Sequence, residues 1–166
     1  MTVSNICIVG PGAIGGMMAA KMINAGFNVS ALVQPARVDT MTANGITLHD
    51  DGEFLHAAPR VAAAASEFGQ QDLVVVTVKE TALKDVAADI SPLLGQDTQV
   101  VQITNGIPWW FFDAFDGPLQ GIRLDSVDRD GLVSEHFDLT RHIGGVINCG
   151  VHFGMTLAEP LTMDWL

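Results

Sequence analysis

Apolar residues fall in short blocks along this 166-residue chain, and the blocks alternate between strand-like and helix-like spacing. Residues 3–9 hold Val3, Ile6, Ile8 and Val9 and predict a buried strand, whereas residues 13–25 are rich in Ala, Met and Ile and predict a helix that Gly26 stops. Residues 27–33 predict a second strand. A break at Gln34-Pro35 precedes a helical stretch to about Ala43, and Asn44-Gly45 makes a turn. Residues 46–49 and 54–56 flank Asp50-Asp51-Gly52-Glu53, the pattern of a β-hairpin. The alanine-rich residues 61–68 predict a helix. Residues 73–78 are nearly all β-branched and apolar, as a strand covered on both faces requires. A helix from about Glu80 to Leu94 is marked by Leu83, Val86, Ala87 and Ile90, and residues 99–104 and 143–149 predict two further strands. Strands alternating with helices define an α/β protein with a doubly wound, mainly parallel sheet of Rossmann type. The expected division is one domain over residues 1–149, with residues 150–166 as an apolar tail or edge strand.

Composition narrows the class. Hydrophobic residues make up 48% of the chain, too many for a disordered protein. The net charge of −11 makes nucleic acid and anionic membrane poor partners. Every long apolar run is interrupted by Gly, Asn, Lys or Pro, so no membrane span is expected. The N-terminus lacks the basic region of a secretory signal, which predicts a cytoplasmic protein. Cys7 and Cys149 fit a reducing compartment as small buried strand residues. Asp125, Asp128 and Asp130 read as a solvated loop, and His49 and His56 as exposed residues across a hairpin. No spacing of ligands points to a metal.

The chemistry sits at Gly10-Pro11-Gly12-Ala13-Ile14-Gly15, a Gly-x-Gly-x-x-Gly turn between a predicted strand and a predicted helix. Gly10 permits the tight turn, Gly12 leaves room for a pyrophosphate, and Gly15 lets the helix pack closely on the sheet. Phosphates then lie at a helix N-terminus, where free N–H groups and the helix dipole favour negative charge. Lys79 and Asn105-Gly106 follow later strands, at the sheet edge where ligands bind in open α/β folds. From the residues alone, Lys79 reads either as a phosphate contact or as a solvated lysine opening a helix. Asn105 reads either as a donor and acceptor for a ligand or as part of an Asn-Gly turn.

Three blocks together, the glycine turn with Gly16 after it, the strand ending at Lys79, and Thr104-Asn105-Gly106-Ile107-Pro108-Trp109-Trp110, resemble the ketopantoate reductase (2-dehydropantoate 2-reductase) family. The resemblance runs to about Cys149 and corresponds to the family's N-terminal, cofactor-binding half. It implies NADPH-dependent reduction of a 2-keto acid, ketopantoate, to pantoate, a step of pantothenate biosynthesis. It places Lys79 near the adenosine phosphate end of NADPH and Asn105 near the nicotinamide and substrate.

Two departures qualify that resemblance. Gln34 stands where NAD-preferring proteins carry a carboxylate for the ribose hydroxyls, which leans toward NADP, with Arg37 three residues on as a 2′-phosphate partner. The family's second, mostly helical domain, which supplies its catalytic lysine and an acidic substrate contact, has no counterpart after Cys149. No catalytic residue is therefore expected in this chain, and both a fragment and a truncated, non-catalytic dinucleotide-binding module fit. The aromatic run Trp109-Trp110-Phe111-Phe112 after Pro108 is expected at a helix start. Four consecutive aromatics cannot all face inward there. Together with the apolar tail it predicts a partner surface, with a homodimer as the expected assembly.

Overall fold

The structure, a computed structural model, describes residues 3–50, 52–113, 116–154 and 162–165. Ten strands and three α-helices follow in the order β1 (Asn5–Val9), α1 (Ala13–Asn24), β2 (Asn28–Leu32), α2 (Val38–Asn44), β3 (Ile46–Asp50), β4 (Glu53–Ala57), β5 (Arg60–Ala62), β6 (Gln71–Val76), α3 (Glu80–Val86), β7 (Leu94–Ile103), β8 (His142–Gly145), β9 (Val151–Gly154) and β10 (Thr162–Trp165) among the described residues. Six strands form one sheet in the order β5-β2-β1-β6-β7-β8, and all five pairings are parallel. By rank along that sheet the order is 3-2-1-4-5-6, which reverses direction between β1 and β6.

A parallel sheet needs cover on both faces, and period-2 alternation supplies it. Ile6, Ile8 and Val75 join the core that contains Met17, Ala19 and Ala20 of α1 and Ile46 and Leu48 of β3. Cys7, Val9, Val74 and Val76 turn the other way, onto Leu83, Ala87 and Ile90. Burial pushes the Cys7 thiol up to about 12, which leaves it an inert apolar filler. Helix α1 ends in a Schellman motif. Gly26, at φ +92°, donates its N–H to Ile23 O, and Phe27 donates to Met22 O.

Several elements differ from expectation. Residues 61–68 are not a helix: β5 pairs with β2 there, and a short 3-10 turn spans Ala65–Glu67. Sheet pairing outweighs the helix preference of alanine. Helix α3 stops well before Leu94, and a 3-10 turn at Ser91–Leu93 contains Pro92, which has no N–H to continue a helix. Strand β7 starts earlier than expected, at Leu94, and β8 ends earlier, at Gly145. The aromatic run opens a turn-rich crossover rather than a helix, with positive φ at Gly106, Gly117, Gly121, Asp130 and Gly131. Within it Trp109 is buried and Phe111 is exposed.

The expected hairpin forms as β3 and β4, with His49 opposite Phe54. It belongs to a second, four-stranded sheet in the order β4-β3-β10-β9, where β10 runs parallel to β3 and antiparallel to β9. Helix α1 packs against this sheet as well, and Lys21 Nζ lies 2.7 Å from Asp50 Oδ2.

Candidate functional site

The Gly-rich turn is built by close contacts that only glycine allows. Gly10 has φ +74° and donates its N–H to Leu32 O, which ties the end of β1 to β2. A Cβ on Gly10 would run into the side chain of Val78. At Gly15 a Cβ would collide with Thr77 Oγ1 and lie 3.1 Å from Ile8 Cγ2. Helix α1 therefore rests directly on β1 and on the end of β6. Thr77 locks the junction, donating its hydroxyl to Val9 O and Gly10 O at 3.1 and 3.0 Å. Thr77 has no role in the sequence reading. Its signal was a hydroxyl interrupting an apolar run.

Gly12 is the opposite case. A Cβ there would meet nothing nearer than Gly10 O at 3.9 Å. The space beside Gly12 is open, and no acidic residue stands in the first turn of α1. First-turn N–H groups lack intrahelical acceptors, so this terminus presents positive potential to an open crevice.

The remaining candidates line the same carboxyl edge of the sheet. Pro11 is buried in the turn, with Ala13 and Ile14 half-buried behind it. Gln34 is exposed just past β2, and Arg37 is half-buried at the end of a 3-10 turn that Pro35 opens. Lys79 is exposed between β6 and α3, and Asn105 and Gly106 are exposed just past β7. The strands β2, β1, β6 and β7 are consecutive neighbours, so these residues share one side of the molecule. Two cavities of about 320 Å³ lie elsewhere, one at the start of β7 and one within the β7–β8 crossover.

Beneath that edge is a buried polar chain that sequence reading missed. Gln102 of β7 is 1% exposed. Its side-chain oxygen accepts from Trp109 Nε1 at 3.2 Å, and its amide donates to Glu80 Oε2 at 3.4 Å. Burial raises the Glu80 carboxyl above its ordinary range, and a bond from Thr104 holds it partly down. The signal was a glutamine inside a strand covered on both faces.

The crossover also corrects the acidic loop. Asp128 is not solvated: it is 1% exposed, and its Oδ1 accepts from Val133 N at 2.8 Å. Among the described residues no group of three or more His, Cys, Asp or Glu could hold a metal, and no helix is long and apolar enough to cross a membrane.

His142 sits among the rings of Trp109, Trp110 and Phe137, with centroids 5.4, 4.4 and 5.4 Å away. Burial pushes its imidazole down to about 4. The unfolded chain takes up this proton near the ordinary histidine value of 6.5 and the folded chain only near 4, so stability falls as pH drops through that window. The full linkage between pH 7 and 5 is about 2 kcal/mol, and partial exposure reduces it to about 1 kcal/mol. His142→Leu is expected to remove that part of the acid destabilisation. Denaturant midpoints at the two pH values check this, and an unchanged pH dependence would reassign it to the carboxylates.

A 3-2-1-4-5-6 parallel sheet with a glycine turn opening on the strand reversal defines a Rossmann-type, dinucleotide-binding class of domain. The family model described as "Ketopantoate reductase PanE/ApbA" matches residues 6–108, and the chain belongs to that ketopantoate reductase family of oxidoreductases. It is 43% identical over 143 residues to a 2-dehydropantoate 2-reductase of Mesorhizobium japonicum, covering 86% of this chain and 44% of that protein. A crystal structure of a protein from Ralstonia solanacearum MolK2 assigned to the same family superposes with a TM-score of 0.88 at 37% identity, over 98% of this chain and 49% of that one. A D-mandelate dehydrogenase solved with NADH and anilino(oxo)acetate shares the fold at a TM-score of 0.69 and 19% identity, over 98% of this chain and 45% of that one. The chain thus spans about half the length of the relatives it matches.

Proposed function

We propose that this chain is the NADPH-binding half of a reductase that converts a 2-keto acid such as 2-dehydropantoate to the 2-hydroxy acid pantoate, in pantothenate biosynthesis. The observation that carries the reading is the contrast within the glycine turn: Gly10 and Gly15 are filled to contact, whereas Gly12 faces open space. That open cradle beside the backbone suits the close approach of a pyrophosphate. First-turn N–H groups from Ala13 onward would hold the phosphates. Lys79 would add a compact positive charge. Asn105 would orient the nicotinamide end through its amide. A bound nicotinamide supplies the hydride. The shared sheet edge of Lys79, Asn105 and the α1 N-terminus supports this reading, and protonation of the keto oxygen is the part we assign to the remainder of the longer relatives.

Cofactor choice follows from the end of β2. Gln34 offers no carboxylate to repel a 2′-phosphate, and Arg37 stands in the turn beyond it. NADPH is expected to bind more tightly than NADH by about 1–3 kcal/mol, the weight of one charge-assisted hydrogen bond. Calorimetric titration of both cofactors, repeated on Arg37→Ala, tests this. Equal affinities in the wild type would remove the 2′-phosphate assignment.

A further inference from the structure

We infer that Glu80 is a positioning residue: its carboxylate braces the start of α3 against the end of β7 and so sets where Lys79 and Asn105 stand relative to each other. The inference rests on the cofactor reading above, because those two residues are its proposed polar contacts.

The geometry joins the first residue of α3 to the end of β7 through one carboxylate. Glu80 is the first residue of α3 and directly follows Lys79. Its Oε2 accepts from Gln102 Nε2 in β7 at 3.4 Å, and the nearby Thr104 hydroxyl favours the charged form of the carboxyl. Thr104 is the residue before Asn105 and is itself held from the far side, its N–H donating to Gly145 O at 3.2 Å. Gln102 in turn holds Trp109, the anchor of the crossover that leaves this edge. The segment after β6 and the end of β7 are thus joined by the Glu80 side chain.

The other carboxylate oxygen, Oε1, is buried with no hydrogen-bond partner among the described residues. An unsatisfied buried oxygen weakens a fold. A neutral apolar side chain at this position would fill the space without that cost but would release Gln102 and Thr104. Protonation would release them in part, since a carboxyl group accepts less well than a carboxylate and must itself donate. Lys79 and Lys84 lie on or beside its own helix, Gln102 and Thr104 come from β7, and Trp109 and, beyond it, His142 come from the crossover. Within this cluster burial raises the Glu80 carboxyl above its ordinary range, whereas it lowers the His142 imidazole.

The test uses the whole chain with Glu80→Ala and Glu80→Gln. Amide hydrogen exchange at residues 104–106 is read without ligand, and NADPH affinity is read from about pH 5 to about pH 8. Glu80→Ala is expected to speed exchange at 104–106 and to weaken NADPH about tenfold, the scale of one lost charge-assisted hydrogen bond. Glu80→Gln, which can still accept from Gln102, is expected to recover most of the exchange protection. The wild type should lose NADPH affinity toward low pH, and both variants should lose that slope. Unchanged exchange at 104–106 in a folded Glu80→Ala overturns the brace, whatever the cofactor does. If Glu80→Ala does not fold, a wild-type pH slope persisting in Glu80→Gln overturns it. If the wild type binds no NADPH, the cofactor reading fails on its own, and the exchange measurement still decides the brace.

Discussion

Replacing Gly12 with valine is expected to leave a folded protein that no longer holds NADPH. The backbone at Gly12 has φ −79°, so the position does not depend on the left-handed region that only glycine enters freely. The added side chain would meet no protein atom closer than 3.9 Å at its Cβ. It would instead occupy the crevice in front of the α1 N-terminus. A pyrophosphate displaced from those N–H groups loses several charge-assisted bonds at once, which amounts to a fall in affinity of about 100-fold or more. Circular dichroism and a thermal melt establish that the domain is intact, and calorimetry or cofactor fluorescence measures binding. Normal NADPH affinity in a folded Gly12→Val would move the phosphate site away from this turn.

Gly15, three residues along the same motif, should respond in the reverse order, with stability lost first. Even Gly15→Ala places a methyl against Thr77 Oγ1, Ile8 Cγ2 and Gly10 O. Thr77 cannot retreat without giving up its bonds to Val9 O and Gly10 O, and two of the three neighbours belong to the tightly packed junction of β1 with β6. Overpacking of this kind together with a lost buried hydrogen bond costs about 3 kcal/mol. For a chain of this size that is a drop of roughly 6–12 °C in the melting temperature. A melt and a denaturant titration check it. A Gly15→Ala variant as stable as the wild type would show that α1 can lift off the sheet, and the close-packing account would fail.

The two glycines also show how far local sequence reaches. The β1–α1–β2 unit was legible because each of its signals is local: alternation at Ile6 and Ile8, the glycine spacing, and a glycine ending the helix in a left-handed conformation at Gly26. The buried run in β6 was legible for the same reason. What escaped depends on partners remote in sequence. Residues 61–68 have a helical composition, but the open edge of β2 recruits Arg60–Ala62 as β5. The turn-rich crossover holds its shape through Trp109, Val133 and Phe137 reaching the core and through Asp128 bonding Val133, and none of these has a periodic signature. At the site, the exposed positions were readable from strand ends. Thr77, Glu80 and Gln102 were not, because their roles are contacts between segments. The tail after residue 150 carried apolar positions but no indication that β10 would lie between β9 and β3.

That last pairing bears on how the chain is made. Thr162 pairs with Thr47, 115 positions earlier, so the second sheet closes only after residue 162 has been made. Until then the β3–β4 hairpin presents an open strand edge, with N–H and C=O groups ready to accept any extended segment nearby. Closing so distant a contact is slow relative to building the local β1–α1–β2 unit. The interval between the two is when a nascent copy is most exposed to pairing with its neighbours on a polysome, and when a chaperone that shields strand edges would have the most to offer this protein.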